Sequence, residues 1–377
     1  MLTRRLVGLF ALAMGVMSGG LAERVAHADD DDVPKIQMAI LLDHSGSMGG
    51  LINQAREHLW NVVNEFTTLR RNGKRPRLEV ALYKYGNAGP EQLVTFTDDL
   101  DAVSEALFAI QIQGGSEYCG LVIQTAVNDL KWSEDEDDMK CIFIAGNEPF
   151  TQGPVKYDFA CKEAIKKGIT VSTIHCGDER QGINGRWQHA ATLADGSFLT
   201  INQNRAVAVI PAPQDDKITA LNVKLNATYI AYGAADKRKK FTANQVAQDA
   251  NAYQLNLNAN ASRAAAKASA NYFCHWDLID GCVRGTIKIE EIKKEQLPKD
   301  LQKLSLKELE AHIEKQKNLR KKIQEEIREL TDARAKFIAA ERKKKAETAE
   351  APDDTLDKAI IEAVQKQADK SGYRVEK

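Results

Sequence analysis

Between Lys35 and Met48 the apolar run Ile36, Met38, Ala39, Ile40, Leu41, Leu42 stops abruptly at Asp43-His44-Ser45-Gly46-Ser47. Apolar side chains at consecutive positions leave no wet face, so the run predicts a strand in the middle of a sheet covered on both sides. Gly50 to Arg71 comes next with Ile52, Ala55, Leu59, Val62, Val63, Phe66 and Leu69 at three- and four-residue spacing, which predicts a helix with one apolar face. Leu78 to Tyr85 and Leu93 to Phe96, with Gly89-Pro90 between them, predict a hairpin at one sheet edge. A helix over Leu100 to Ile110, capped by Asp98, succeeds the hairpin, and Gln113 to Gly120 opens another that runs to about Trp132. Met139 to Ala145, Thr170 to Cys176 and Phe198 to Ile201 predict further strands, with helices over Tyr157 to Lys167 and Trp187 to Leu193 between them. Strands alternating with helices give the fold class: α/β, a doubly wound, mostly parallel six-stranded sheet of Rossmann-like type.

Beyond Pro211-Ala212-Pro213 the strand pattern ends. Ile218 to Tyr232 and Asn244 to Phe273 carry apolar positions at helical spacing and predict a helical hairpin, packed on itself or back on the first part of the chain. Ser305-Leu306-Lys307-Glu308 is a capping-box signature that starts a long helix to about Lys345. Leu309, Ile313, Ile323, Ile327, Leu330 and Phe337 of that helix fit a heptad seam, which Gln316, Arg320 and Arg334 interrupt. A coiled coil and a single solvated helix both fit this pattern. The expected division is an α/β domain over 33–205, a helical region over 214–290, a long charged helix over 298–348, and a short amphipathic helix over 353–371 that is stable only if it docks. On this division the helix from Ser305 to about Lys345 is dispensable for folding of the first domain, and a chain ending near Asp215 should melt cooperatively.

Three features change the picture. Met1 to Arg5, the apolar Leu6 to Ala22 and Ala26-His27-Ala28 have the parts of a secretory signal peptide, so residues 1–28 are expected to be removed and the mature chain to be periplasmic or secreted. An uncleaved anchor is the alternative. Over 377 residues a net charge of −1, with no basic stripe, argues against nucleic acid as a partner. Six cysteines are too few to carry the fold; Cys274 and Cys282 either close a short loop or are free thiols.

The candidate chemistry sits where the first strand ends. Asp43, Ser45 and Ser47, one carboxylate and two hydroxyls at alternate positions, form a hard-oxygen donor set that suits Mg²⁺ or Ca²⁺. The two serines could instead serve as helix caps.

Asp43-x-Ser45-x-Ser47 at the end of the first strand of a βα alternation resembles the metal-ion-dependent adhesion site (MIDAS) of von Willebrand factor type A (VWA) domains, over roughly residues 33–204. The C-terminal part is similar to the region that succeeds this domain in bacterial envelope proteins. The resemblance implies a further hydroxyl ligand after a Gly-Gly pair, where Ser116 stands in this chain for the family's Thr. It also implies an Asp-Gly at the end of the fourth principal strand, where this chain has Ala145-Gly146. Glu117, and Asn147 or Glu148, are the residues expected to make up that loss. Mg²⁺ is the favoured ion, with Ca²⁺ or Mn²⁺ as alternatives. The implied function is a binding module of the cell envelope whose metal keeps a coordination position open for a carboxylate from a protein partner. No zinc-ligand spacing, nucleophile elbow or phosphate loop points to an enzyme. The alternative is a scaffolding protein that acts through its C-terminal helices, its metal site degenerate.

Overall fold

The computed structural model describes residues 33–86, 88–202, 204, 209–346 and 356–375. The expected signal peptide lies outside the described residues. In chain order the elements are β1 (Lys35–Asp43), α1 (Gly49–Thr67), β2 (Leu69–Arg70), β3 (Arg77–Tyr85), β4 (Glu91–Thr97), α2 (Leu100–Ala109), α3 (Cys119–Asp129), β5 (Met139–Gly146), α4 (Tyr157–Lys166), β6 (Thr170–Cys176), α5 (Glu179–Asn184), α6 (Trp187–Leu193) and β7 (Asp195–Ile201). After these come α7 (Asp215–Asn226), α8 (Ala235–Leu255), α9 (Leu257–Ala268), α10 (Leu278–Val283), α11 (Leu306–Ala346), α12 (Leu356–Lys370) and β8 (Arg374–Val375).

Six strands form one sheet in the order β4-β3-β1-β5-β6-β7. Only the edge pair β3/β4 is antiparallel, as the hairpin pattern predicts. β1 is central and buried from Ile36 to its end, so its continuous apolar run results from contact with a helical layer on each face. Ile36, Met38, Ile40 and Leu42 pack toward α1, while Ala39 and Leu41 pack with residues of α3, α4 and α6 on the other face. Strand alternation sets Asp43 on that second face.

The layer beside α1 is completed from the far end of the chain. Leu356, Ala359, Ile360, Ala363 and Val364 of α12, with Tyr373 just beyond it, belong to the same buried cluster as β1 and α1. Leu69 and Arg70 also pair with Val375 and Arg374. The short C-terminal helix docks, and the first domain is where it docks, so a chain ending near Asp215 would lack this part of the core.

The intervening helices differ from expectation in two places. The helix expected over Asn244 to Phe273 is two, α8 and α9, broken at Asn256, whose extended backbone and side chain cap α9 by accepting a hydrogen bond from Ala259 N (2.9 Å). The seam of α11 is used inside the chain, Ile323 and Ile327 packing with Ile218, Leu225 and Ala264. The two arginines that interrupt that seam are ion-pair partners. Arg320 Nη1 lies 2.7 Å from Asp277 Oδ2 and 2.8 Å from Asp280 Oδ1, and Arg334 Nε lies 2.6 Å from Asp215 Oδ1, all in largely buried surroundings. The capping box of α11 is formed, Ser305 N donating to Glu308 Oε2 (2.8 Å) and Glu308 N to Ser305 Oγ (3.3 Å).

Asp98 does not cap α2. Asp99 does, accepting from Asp101 N and Ala102 N, while Asp98 turns to His275, Arg77 and Arg284. All six cysteines are free thiols, Cys274 and Cys282 included.

Candidate metal centre

At the C-terminal end of β1 the backbone leaves the sheet and Asp43 stays behind, fully buried. Its carboxylate is gripped by the next loop: Ser45 N donates to Oδ1 at 2.7 Å and Ser45 Oγ to Oδ2 at 2.9 Å. Ser45 Oγ and Ser47 Oγ lie 3.4 Å apart, so both hydroxyls are on the side of the loop that faces Asp43. Neither serine caps a helix here. The short turn at Gly46–Met48 and α1 both begin without a side-chain cap.

Two further loops close around this one. His44, on the opposite side from Asp43, donates from Nδ1 to Gln111 O (3.1 Å), its carbonyl accepts from Gln113 N (2.7 Å), and Gly46 N donates to Gly114 O (3.3 Å). These bonds fix the segment that carries Ser116, which is exposed at the rim and does not cap α3, whose N-cap is Tyr118. The loop after β5 joins through Ser47 Oγ, which donates to Asn147 Oδ1 at 3.1 Å. Glu148 points outward, with its carboxylate 3.2 Å from Gln152 Nε2.

Glu117 points inward and is fully buried. Its Oε2 accepts from the backbone N–H groups of Asn147 and Glu148, both at 3.2 Å; no N–H or hydroxyl group donates to Oε1, and the carboxyl's remaining hydrogen bond is the one it shares with Asp43. Burial, with the Asp43 carboxylate beside it, pushes the Glu117 carboxyl up to about 10. Burial raises Asp43 as well, against the hydrogen bonds from Glu117 and Ser45. Two carboxyl groups in one dry site cannot both ionise unless a positive charge joins them.

This arrangement fits a hard divalent cation. The donors are carboxylate and hydroxyl oxygens, no N–H or hydroxyl group reaches Glu117 Oε1, and a cation would supply the charge that both acids need in order to ionise. Among the described residues there is no cluster of three or more His, Cys, Asp or Glu side chains that could hold a metal. The site would therefore depend on serine hydroxyls as much as on carboxylates.

Strand register adds residues that the sequence did not mark. Tyr85 pairs with Asp43; Leu42 pairs with Ala145, which brings Gly146 level with Asp43; and Gly146 pairs with His175. Tyr85, Asp43, Gly146 and His175 thus form one row on one face of the sheet. Ala145 packs toward α1 instead, so the position at the end of β5 that faces the site is Gly146, not Ala145. Tyr85 Oη donates to Ala145 O at 3.0 Å. His175 is buried against Trp187, with ring centroids 5.5 Å apart and both ring nitrogens without a partner, and burial holds its imidazole below the ordinary 6.5. Cys176 lies on the opposite face, in the cluster under α1, so the adjacent His175 and Cys176 do not form a catalytic pair.

Residues 38–147 match the family model of the von Willebrand factor type A domain, and the chain carries a domain of that family there. A search of curated proteins finds no match. Among solved structures, an aerotolerance-related membrane protein from Bacteroides fragilis is 16% identical, with 45% of this chain and 93% of that one covered and a TM-score of 0.33. The conserved hypothetical protein BatB from Bacteroides thetaiotaomicron is 14% identical, with 56% and 98% covered and a TM-score of 0.36. Proximal thread matrix protein 1 from the mussel byssus, with a zinc-occupied MIDAS motif, is 12% identical, with 45% and 42% covered and a TM-score of 0.37.

Proposed function

We propose that this chain is an exported, metal-ion-dependent binding module that recognises a protein partner in the cell envelope. The observation that carries the reading is the convergence of Asp43, Ser45 and Ser47 at the end of the central strand, beside the buried Glu117 carboxyl, whose Oε1 receives no N–H or hydroxyl donor. Ligands of doubly wound sheets bind at such strand ends.

Asp43, Ser45 and Ser47 would hold the ion, with Ser116 at the rim and Glu117 beneath. A bound Mg²⁺ would supply an electrophilic centre with a coordination position open to a partner's carboxylate. The chain's own part is to hold that centre short of anions. Ser45 N and Oγ fix the Asp43 carboxylate in one orientation before any ion arrives, so little ordering is left to binding. Mg²⁺ is favoured over Ca²⁺ because few protein oxygens converge here and Mg²⁺ retains water readily.

The reading is of binding rather than catalysis, since the sequence holds no nucleophile elbow, phosphate loop or zinc-ligand spacing. Export rests on residues 1–28. Among the described residues no helix is long and apolar enough to cross a membrane. The scaffolding alternative draws less support, because the apolar stripe of α11 already packs within the chain.

Affinity capture from an envelope fraction tests the proposal. A partner should be retained by the wild-type chain in Mg²⁺ and lost both with a chelator and with Asp43→Ala. Equal retention in all three conditions would place recognition away from this site and overturn the reading.

A further inference from the structure

We propose that Glu117 supplies the second carboxylate of the site from the loop ahead of α3, and that Gly146 is the residue that admits it. The ligand half of this inference rests on the metal-dependent reading above; the steric half does not. The two positions act as one: a side chain at 146 and an inward acid at 117 exclude each other.

Tyr85, Asp43, Gly146 and His175 stand side by side across the sheet. Gly146 is the one member without a side chain, and the gap it leaves is occupied. A Cβ at 146 would lie 2.6 Å from Glu117 Oε2, 2.6 Å from Tyr85 Oη and 3.2 Å from Asp43 Cβ. None of these atoms is the loose end of a mobile side chain. Tyr85 is buried and tied to Ala145 O, and Asp43 is tied to Ser45.

Glu117 is held as firmly. Its own N–H donates to Gln152 Oε1 (2.9 Å), and its Oε2 takes the two backbone N–H groups of Asn147 and Glu148 at the mouth of β5. Those donors hold the carboxyl from the strand side, no N–H or hydroxyl group reaches the buried Oε1, and its remaining partner is the Asp43 carboxyl. Two carboxyl groups buried against each other, one of them oriented by two backbone donors, are built to meet a cation. With Asp43, Ser45 and Glu117 buried, the exposed members of the proposed ligand set are Ser47 and Ser116. A partner's carboxylate approaching the ion would therefore meet no acidic side chain of the ligand set at the rim.

The test uses the full chain and Mg²⁺ alone, read by calorimetry and thermal unfolding. All variants are made in a Tyr85→Phe background, which removes the other oxygen that a Cβ at 146 would meet. Glu117→Gln keeps size and both backbone bonds, and is expected to leave metal-free stability near that of the background while weakening Mg²⁺ roughly 10- to 100-fold. Gly146→Ala is expected to lower the metal-free melting temperature, and to do so much less when combined with Glu117→Ser. Gly146→Asp should abolish the Mg²⁺ response by itself and recover it in combination with Glu117→Ser. Unchanged Mg²⁺ affinity in Glu117→Gln would overturn the ligand half. Additive effects of Gly146→Ala and Glu117→Ser would overturn the steric half. If neither the wild type nor the background responds to Mg²⁺, the metal reading fails and the ligand half with it, while the metal-free comparison still decides whether the two positions exclude each other.

Discussion

Asp357, at the start of the last helix, sets its Oδ2 3.2 Å from His58 Nδ1 in the first helix, and both residues are buried. Asn61 Nδ2 donates to the same oxygen at 3.0 Å, and Leu356 N donates to Gln54 Oε1 at 3.0 Å. α1 and α12 are thus neighbours in one layer, with the helices from Asp215 to Ala346 inserted between β7 and α12.

The first prediction rests on the residues that α12 buries. Leu356, Ile360 and Val364 are each at most 3% exposed; at about 1.5–3 kcal/mol apiece they contribute roughly 5–9 kcal/mol. That is comparable with the whole stability of a domain, about 5–15 kcal/mol. A chain ending near Asp215 should therefore lack a cooperative melting transition. A chain with 209–346 replaced by a flexible linker and α12 retained should melt more cooperatively than one ending near Asp215. Cooperative melting of the shorter chain, measured by circular dichroism, would show that α12 is an accessory.

A second prediction concerns the pin between the inserted helices and the α/β domain. Arg263 is fully buried; its Nη1 lies 2.5 Å from Asp101 Oδ1, its Nε 2.8 Å from Asp249 Oδ1, and its guanidinium covers the Trp60 ring at 4.4 Å. Removing one member of such a group strands a buried charge, so Arg263→Ala should cost about 3–5 kcal/mol. Lys217→Ala, which breaks the exposed pair with Glu326 at 2.7 Å, should cost less than about 1 kcal/mol. Urea denaturation distinguishes the two; equal costs would mean that the buried network is not what holds α9 against α1 and α2.

How stability varies with pH is the third prediction. Burial works against ionised Asp98, but the hydrogen bond from His275 and the charges of His275, Arg77 and Arg284 outweigh it and hold the carboxyl at about 2. The same hydrogen bond raises His275 above its ordinary 6.5, with partial burial opposing it. A depressed acid gives stability that is present above its unfolded value of 3.8 and lost as pH falls toward about 2. A raised imidazole gives stability that is present below 6.5 and lost as pH rises through its folded value. The pair should therefore help most between about pH 4 and 6.5. With His275 half exposed, solvent screening limits the imidazole's contribution to about 1 kcal/mol or less. Urea midpoints from pH 3 to 9 for wild type and His275→Ala should differ most inside that window and converge above it; a difference that persists at pH 9 would remove the charge from the explanation.

Much of this was legible in the residues. The consecutive apolar run before Asp43 could only be a central strand, and the alternation of Asp43, Ser45 and Ser47 marked the strand end at which the candidate site is built. What local pattern could not give was register. That Gly146 and not Ala145 faces Asp43 depends on how β5 pairs with β1, and nothing local in either strand specifies it. The docking of α12 was hidden for a related reason: its apolar stripe shows that it docks, and only the three-dimensional fold shows the place it takes beside α1. Arg320 and Arg334 misled for the opposite reason. As interruptions of a heptad they suggest solvation, but with Asp277, Asp280 and Asp215 brought against them they are interior ion pairs.

The last prediction concerns Asp43 itself, the carboxylate on which the proposed ligands converge. Its two oxygens are oriented by Ser45, and Ser47 is held between Ser45 Oγ and Asn147 Oδ1, so removing the carboxylate takes away a full charge and the anchor of both hydroxyls. An ion that binds only the folded chain stabilises it by about 2.7 kcal/mol at about one hundred times its dissociation constant. For a compact unit of this size that is a rise in melting temperature of roughly 4 °C. Wild type should show such a rise on titration with Mg²⁺, reversed by a chelator, and Asp43→Ala should show none. Ser47→Ala removes one neutral donor at the rim and keeps the carboxylate, so its response should be weakened but present. Since unfolding is compared with and without ion for each protein separately, any loss of basal stability in the variants cancels. Equal rises in wild type and Asp43→Ala would place the ion elsewhere on the chain.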